Sequence, residues 1–157
     1  MALAVEEWAA LPADDPRRPL FARALRVLAA REHGREELRS KLLVPPAPWP
    51  KRGEEGRRQR AGIEQGVAPE KPDEDMVEDV LDALEREGYL SDERFAESFV
   101  NMRARRGHGP VRIKNDMKQK KLATEFISDA FEACETDWFE LAREVRERKF
   151  GETTPTD

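Results

Sequence analysis

Three side chains in this sequence are of types that act in catalysis or bind metals. His33 and His108 are the only histidines, and Cys134 is the only cysteine. An imidazole beside a thiol could activate a nucleophile, and histidines and cysteines at short spacing could bind zinc. No such spacing occurs here, because the three residues are far apart in the chain. Both histidines fall in turns between predicted helices, where we expect capping or surface roles, and Cys134 falls on an apolar stripe, where we expect a core position.

The glycine turn around His108 and the acidic residues at 73–87 give no stronger sign of an enzyme. Gly107-His108-Gly109 joins two predicted helices, follows no strand and lacks the Gly-Lys-Ser/Thr of a phosphate-binding loop. The carboxylates at 73–87 are spread around a predicted helix, so they do not form a pair for general acid and base catalysis. We therefore expect no catalytic residue, no metal and no cofactor, and we interpret the protein as a non-enzyme.

Acidic and basic residues alternate in blocks along the chain, whose formal net charge is -5. Residues 17–41 contain eight Arg/Lys and three Glu, and residues 70–99 contain twelve Asp/Glu and three Lys/Arg. Residues 103–121 contain eight Arg/Lys and one Asp. Such blocks create local fields that steer charged partners even when the whole chain is acidic. The alternative is that these charges only keep a helical surface solvated.

Two groups of basic residues surround predicted turns and are the candidate partner-binding residues. The predicted helices repeat along the chain, and the two groups have equivalent positions in this repeat. Stacked units would therefore present them to a periodic partner. The candidates, which include one histidine, are Arg31, Arg35, Arg39, Arg103, Arg106, His108, Arg112, Lys114 and Lys118. Exposed ion pairs contribute only about 0–1 kcal/mol each, so we expect no single arginine to be decisive.

The composition predicts an all-α protein built on narrow apolar stripes. Hydrophobic residues make up 38% of the chain and charged residues 39%, which is close to the composition of chains that do not order fully. β-Branched and aromatic residues never alternate over a useful length, so we expect no strand. Apolar residues at three- and four-residue spacing predict seven helices within residues 20–43 and 75–150.

Three further features indicate a cytoplasmic protein. The N-terminal segment carries acidic residues where a signal peptide has basic ones. No stretch approaches the roughly 18 consecutive apolar residues of a membrane span. A single cysteine excludes an internal disulfide and suits a reducing compartment. We expect a monomer without membrane association.

The segment GYLSDERFA, residues 88–96, predicts a sharp junction between two helices. Gly88 suits the left-handed residue that follows a helix, because it has no Cβ to clash. Ser91 can then cap the next helix, and removing such a cap typically costs about 1 kcal/mol. In the first basic block, we expect Gly34 to end the helix that precedes it.

The order of the predicted helices repeats along the chain. A constant offset of 75 residues relates Gly34, Leu38 and Leu42 to Gly109, Ile113 and Met117. The third helices align at a smaller offset of 47 residues, and residues 44–74 account for the difference. That stretch contains six prolines and four glycines, so we expect a disordered insertion.

This repeat predicts tandem three-helix units that form an elongated, curved array. The predicted parts are an N-terminal tail (1–16), a first unit (17–43 and 75–88), the insertion (44–74), a second unit (89–135), the first helix of a third, incomplete unit (136–151) and a C-terminal tail (152–157). GYLSDERFA is then the joint between the first two units, and it must fix the angle at which the second unit begins.

Three segments of the chain, taken in order, resemble the RecX family. They are ALRVLAAREHGREELRSKLL at 24–43, GYLSDERFAESFV at 88–100 and RRGHGPVRI at 105–113. The patterns Gly-x-Leu-x-Asp-x-x-Phe-Ala and Gly-x-Gly-Pro-x-x-Ile are the most specific parts of the likeness. Overall, the resemblance covers roughly residues 20–43 and 75–151.

The resemblance implies a negative modulator of the RecA recombinase that takes part in DNA repair and the SOS response. Such a protein is expected to bind along the helical groove of the RecA–DNA filament. It would reduce filament growth, strand exchange, ATPase activity and coprotease activity. The chain departs from the family pattern in its long insertion, in Lys120-Lys121-Leu122 where Lys-Gly-Ile is common, and in its end at Asp157, where two more helices are expected.

Two other functions fit the same residues. Residues 95–121 predict a helix, a glycine turn and a basic second helix, which resembles a helix-turn-helix DNA-binding unit in outline. Against that reading, the whole chain is acidic and the second helix has few short polar residues to read bases, although weak direct DNA contact fits the basic charge. A generic helical adaptor would leave RecA unaffected. Binding to RecA, with and without single-stranded DNA, separates the three functions.

Overall fold

The computed structural model describes residues 5–45 and 71–151. This part of the chain is all-α, as predicted, with eight helices and no strand. The helices are α1 (Val5–Ala10), α2 (Arg17–Ala30), α3 (Arg35–Leu43), α4 (Glu74–Arg86), α5 (Asp92–Arg105), α6 (Pro110–Gln119), α7 (Thr124–Glu132) and α8 (Trp138–Phe150). None of these eight helices is long and apolar enough to cross a membrane. Most of the predicted insertion, residues 46–70, lies outside the described residues, and the domain boundaries stay a prediction.

Helices α2, α3 and α4 form a first three-helix group around one apolar cluster. On α2, Leu20 and Ala24 are buried one turn apart. Leu38 and Leu42 occupy the same relation on α3, and both are fully buried. The buried stripe of α4 consists of Val77, Val80, Leu81, Ala83 and Leu84. The apolar stripes predicted for these helices therefore face a common core.

The N-terminal segment differs from the tail predicted for residues 1–16. Val5–Ala10 is helical, and Trp8 within it is only 1% exposed. The indole stacks on Phe21 of α2 with ring centroids 5.2 Å apart. An aromatic pair of this kind contributes about 0.5–1.5 kcal/mol beyond the burial of its area. Trp8 alone anchors this short helix in the core. The helix therefore has no repeating apolar residues from which it could have been predicted.

Helices α5, α6 and α7 form a second three-helix group with its own apolar cluster. Phe95 and Phe99 of α5 are buried there, with ring centroids 5.6 Å apart. Ile113 and Met117 of α6 are fully buried against the same cluster, as their spacing predicted. Cys134 lies half-buried at the edge of this cluster, so it packs against the core but does not occupy the core position that was predicted.

The joints between helices follow local backbone rules. Gly88 has a φ of +77°, and the Ser91 hydroxyl accepts a hydrogen bond from the backbone N–H of Arg94 at 3.2 Å, so the predicted junction is confirmed. The prediction for Gly34 was wrong. Helix α2 ends at Ala30, and Gly34 is the N-cap of α3. A glycine between two helices suits either helix end, and the extended backbone after Ala30 assigns this one to α3.

Helix α8 lies against the turn between α5 and α6. Asp137 caps it, because its carboxylate accepts hydrogen bonds from the N–H groups of Phe139 and Glu140, each at 3.0 Å. Val145 packs on Gly107, where an added Cβ would approach the Val145 Cγ2 to 2.7 Å. Gly107 also has a φ of +81°, so glycine alone fits this position. The outer face of α8 is open, and Phe139 is 92% exposed.

Candidate partner-binding surface

The candidate residues of the first basic block make ion pairs within the protein. Arg31 lies 2.5 Å from Glu37, which is in the first turn of α3. Burial alone would raise the pKa of Glu37, but the hydrogen bond from Arg31 and the charge of Lys120 lower it. Glu37 is therefore ionised at neutral pH, and its ion pair with Arg31 stabilises the turn between α2 and α3. Arg35 and Arg39 extend away from this turn toward α4.

Arg35 is the centre of an ion-pair network between α3 and α4. Its guanidinium lies 2.7 Å from both Glu78 and Asp82 and 2.5 Å from Glu85. Arg39 adds a second contact to Glu78 at 2.6 Å. Partial burial alone would lower the pKa of Arg35, but the hydrogen bonds to Glu78 and Asp82 raise it. Arg35 and Arg39 therefore connect the two helices, which leaves them less accessible to a partner.

Four candidate residues lie around the turn that joins α5 to α6. This set is called the turn surface, and its members are Arg103, Arg106, His108 and Arg112. Arg106 and Arg112 are exposed, and neither has a carboxylate within ion-pair distance among residues 5–45 and 71–151. Burial lowers the pKa of His108, and the positive charges of Arg112 and Arg103 lower it further. The imidazole is therefore neutral at pH 7, and the charge of the turn surface comes from its arginines.

Arg103 and His108 form the half-buried floor of the turn surface. Arg103 lies 3.8 Å from Asp116 of α6 and 5.0 Å over the ring of Phe99. The Nε of Arg103 and the Nδ1 of His108 are enclosed, and neither has a hydrogen-bond partner in the described part of the chain. Leaving such atoms unpaired is costly, but because both are enclosed, a docked group could pair with them only after these two side chains had moved.

Lys114 and Lys118, the remaining candidates, lie on the opposite flank of α6. At 3.6 residues per turn, Arg112 and Lys114 are roughly 160° apart around the helix axis. The ammonium of Lys114 lies 4.9 Å from the ring centroid of Phe131 on α7, and Lys118 is exposed one turn further on. The second basic group, which looked continuous in the sequence, is thus divided into the turn surface and a separate flank beside α7.

His33 is a buried structural residue. The residue is 2% exposed, with Nδ1 2.9 Å from the carbonyl oxygen of Arg31 and Nε2 2.8 Å from the ammonium of Lys41. An ammonium group only donates, so Nε2 accepts from Lys41 and the Nδ1 proton is donated to Arg31. Burial lowers the pKa of His33, which favours this neutral form. Among the described residues, no three His, Cys, Asp or Glu side chains are arranged to hold a metal.

Known proteins are similar in sequence to most of this chain. The family model described as "RecX, second three-helix domain" matches residues 91–130, which include most of α5 to α7. The "Regulatory protein RecX" of Yersinia pseudotuberculosis serotype O:1b is 38% identical over 150 residues, which cover 87% of this chain and 81% of that protein. The protein of the same name from Salmonella arizonae is 38% identical over 147 residues, which cover 90% of this chain and 78% of that protein. The chain belongs to the RecX family.

The part that matches the RecX model contains the turn surface and also two lysines that were not among the candidate partner-binding residues. Lys120 and Lys121, at the end of α6, lie 3.6 Å from Glu37 and 3.0 Å from Glu36 on α3. They therefore connect the second three-helix group of this RecX protein to the first. Both lysines stood out as part of a basic block, but a pairing across 85 residues has no signal in a single sequence.

Proposed function

We propose that this RecX-family chain is a non-enzymatic cytoplasmic regulator that binds the RecA–DNA filament and inhibits RecA. The inhibited activities would be filament growth, ATP hydrolysis, strand exchange and coprotease activity. The proposal is supported by the names of the relatives, each of which is called a regulatory protein RecX. The observation that carries the choice of surface is the pair of exposed guanidiniums at the turn surface, Arg106 and Arg112, which have no ion-pair partner among the described residues.

The turn surface is favoured over the first basic group because its charge is available. Arg35 is already surrounded by three carboxylates, so a partner would have to displace them. Arg106 and Arg112 need no such displacement. They can contact acidic groups of a protein filament or the phosphates of its DNA, and charges of this kind act mainly by accelerating association.

The first experiment measures RecA ATPase activity on poly(dT) against increasing concentrations of this protein. The proposal expects inhibition, and it expects retention of the protein on RecA filaments in a pull-down. Unchanged ATPase activity together with no retention would contradict it. A pull-down with poly(dT) alone tests the second candidate, a nucleic-acid-binding protein, which is favoured by the basic helix α6 after a glycine turn. Retention on DNA that RecA does not increase would support that candidate instead.

A pair of double charge reversals tests the surface. Arg106→Glu with Arg112→Glu should weaken filament binding by about tenfold, or about 1.4 kcal/mol, because two favourable contacts of about 0–1 kcal/mol each become repulsive. The loss should shrink in high salt, since salt screens exposed charges. The matched control is Lys114→Glu with Lys118→Glu, which makes the same charge change on the other flank of α6. Circular dichroism of both variants checks that the helices persist.

The two variants give different outcomes for different binding surfaces. A loss confined to the arginine variant supports the turn surface. A loss confined to the lysine variant moves the binding surface to the flank beside α7. If both variants inhibit RecA with unchanged salt dependence, the four reversed residues only keep the surface solvated, and RecA is bound elsewhere.

A further inference from the structure

The N-terminus of α3 is capped by a residue from another part of the chain. The N-cap of α3 is Gly34, which has no side chain to accept a hydrogen bond. The backbone N–H of Arg35 instead donates to the Oδ1 of Asp92 at 2.7 Å, across 57 residues of sequence. Asp92 is the first residue of α5, within the GYLSDERFA segment. One carboxylate therefore joins the start of α3 in the first three-helix group to the start of α5 in the second.

The equivalent position in the second group has no need for such a cap. Helix α6 also follows a glycine, Gly109, whose backbone dihedrals are close to those of Gly34. Its first residue, however, is Pro110, which has no N–H to satisfy. The first group has Arg35 at that position, with an N–H that requires a partner. The contact with Asp92 is therefore specific to the joint between the two groups.

The same joint places the backbone of Gly34 directly on α5. A Cβ added to Gly34 would lie 3.0 Å from the Cδ1 of Phe95 and 3.4 Å from the Oδ1 of Asp92. A Cβ added to Gly109 would have nothing within 4 Å. The close approach keeps the Asp92 carboxylate within reach of the Arg35 N–H. It also leaves little room for the two groups to shift against each other.

Ion pairs surround this contact; the one between Lys120 and Glu37 is partly buried but long, at 3.6 Å, and two others are more exposed. Glu32 lies 3.1 Å from Arg94 of α5, and Glu36 lies 3.0 Å from Lys121 at the end of α6. Long exposed side chains of this kind keep much of their freedom and fix an orientation poorly. A short carboxylate bonded to a backbone N–H is more directional, since the Asp92 side chain has only two torsions and the Arg35 N–H is fixed in the backbone of α3. The Asp92 contact is thus the element of the joint best suited to set an angle.

We infer that Asp92 is a positioning residue, which fixes the orientation of the second three-helix group against the first. For filament binding, this inference rests on the proposed function. The turn surface belongs to the second group, whereas Arg31 belongs to the first, so their relative placement depends on this joint. A partner that contacts both groups would then require Asp92, although Asp92 itself need not touch that partner.

The test compares two caps that lie next to each other in the sequence. In a Cys134→Ser background, nitroxide labels on cysteines at the exposed positions Ala29 of α2 and Ser128 of α7 report the distance between the groups. Asp92→Ala should shift and broaden the distance distribution measured by pulsed electron paramagnetic resonance. Asp92→Asn should keep the parent distribution, because its amide oxygen can still accept from Arg35. The matched control is Ser91→Ala, which removes a cap within α5 and should lower the melting temperature without changing the distribution.

An unchanged distribution in Asp92→Ala would overturn the inference and leave Asp92 as a local cap of α3. A distribution in Asp92→Asn as broad as in Asp92→Ala would overturn the hydrogen bond as its cause. Binding to RecA filaments on poly(dT) is then measured for the same variants. Weaker binding by Asp92→Ala than by Ser91→Ala supports positioning for the partner, and equal binding overturns that part alone. If the parent protein does not bind filaments, the proposed function fails while the distance result stands.

Discussion

Lys121 is held in a backbone conformation that favours glycine. Its φ is +57°, at the residue that follows the C-cap of α6. The turn is closed by hydrogen bonds from the N–H of Lys121 to the Lys118 carbonyl and from the N–H of Leu122 to the Met117 carbonyl, at 2.9 and 3.3 Å. A side chain in this region costs roughly 1–2 kcal/mol per residue. The resemblance to the RecX family leads one to expect glycine here, so the lysine is retained at a conformational cost.

Lys121→Gly is therefore expected to stabilise the protein slightly. The substitution relieves the left-handed strain, worth about 1 kcal/mol, and loses one exposed ion pair with Glu36, worth about 0–1 kcal/mol. Thermal unfolding should show a melting temperature equal to the parent or up to a few degrees higher. The control is Lys121→Ala, which loses the ion pair and keeps the strain, and it should melt lower. A Lys121→Gly protein that melts below Lys121→Ala would contradict this account.

Single residues also show where prediction from sequence ends. The cap at Ser91 and the left-handed Gly88 follow from residue types at adjacent positions, so local rules predicted them. His33 lies between two helices, as predicted, but the surface role expected for it was wrong, because it is buried there. Its burial could not be predicted, because that depends on Lys41 and on the packing of α2 against α3. The capping role of Asp92 was equally hidden, since its partner Arg35 is distant in the sequence.

At the scale of helices, the ion pairs between α3 and α4 predict a stability role for Arg35. Arg35→Ala leaves Glu78, Asp82 and Glu85 close together without their shared cation. Lost charged hydrogen bonds of about 1.5–3 kcal/mol each, reduced here by partial exposure, suggest a total loss of about 1–3 kcal/mol. Urea unfolding should report this loss as a lower midpoint. Arg106→Ala removes an equally long side chain that has no ion pair in the described structure, and it should stay within about 0.5 kcal/mol of the parent.

If Arg35→Ala unfolds at the parent midpoint, these contacts contribute nothing to stability and Arg35 returns to the set of accessible partner-binding candidates.

The helices also differ in how well the sequence predicted them. Helices with several apolar residues at helical spacing, such as α4 and α5, were predicted because burial repeats along them. Helix α1 was missed because its core contact is the single residue Trp8. Gly34 was assigned to the wrong helix end because a turn glycine does not indicate its direction.

At the scale of the whole molecule, the alternating charge blocks have an internal use that the sequence did not reveal. The acidic helix α4 neutralises the basic residues of α3, and the lysines at the end of α6 pair with α3 in turn. These pairings join residues 35 to 85 positions apart, so a local charge count reads them as free charge. The turn surface keeps two exposed arginines, Arg106 and Arg112, that have no ion pair among the described residues. These ion pairs within the protein therefore reduce the number of basic residues that a charged partner can contact.

The joint between the two groups supplies the last prediction, which compares two glycines at equivalent positions of the repeat. Gly34→Ala and Gly109→Ala both replace an N-cap glycine at a φ near -75° with alanine, so both lose the same capping preference, typically up to about 1 kcal/mol. Only Gly34→Ala also pushes a methyl group against Phe95. Overpacking a tight contact of this kind costs about 1–3 kcal/mol. Gly34→Ala should therefore have the lower urea midpoint of the two. Equal midpoints would mean that Phe95 moves aside freely and that the two groups are not packed tightly at Gly34.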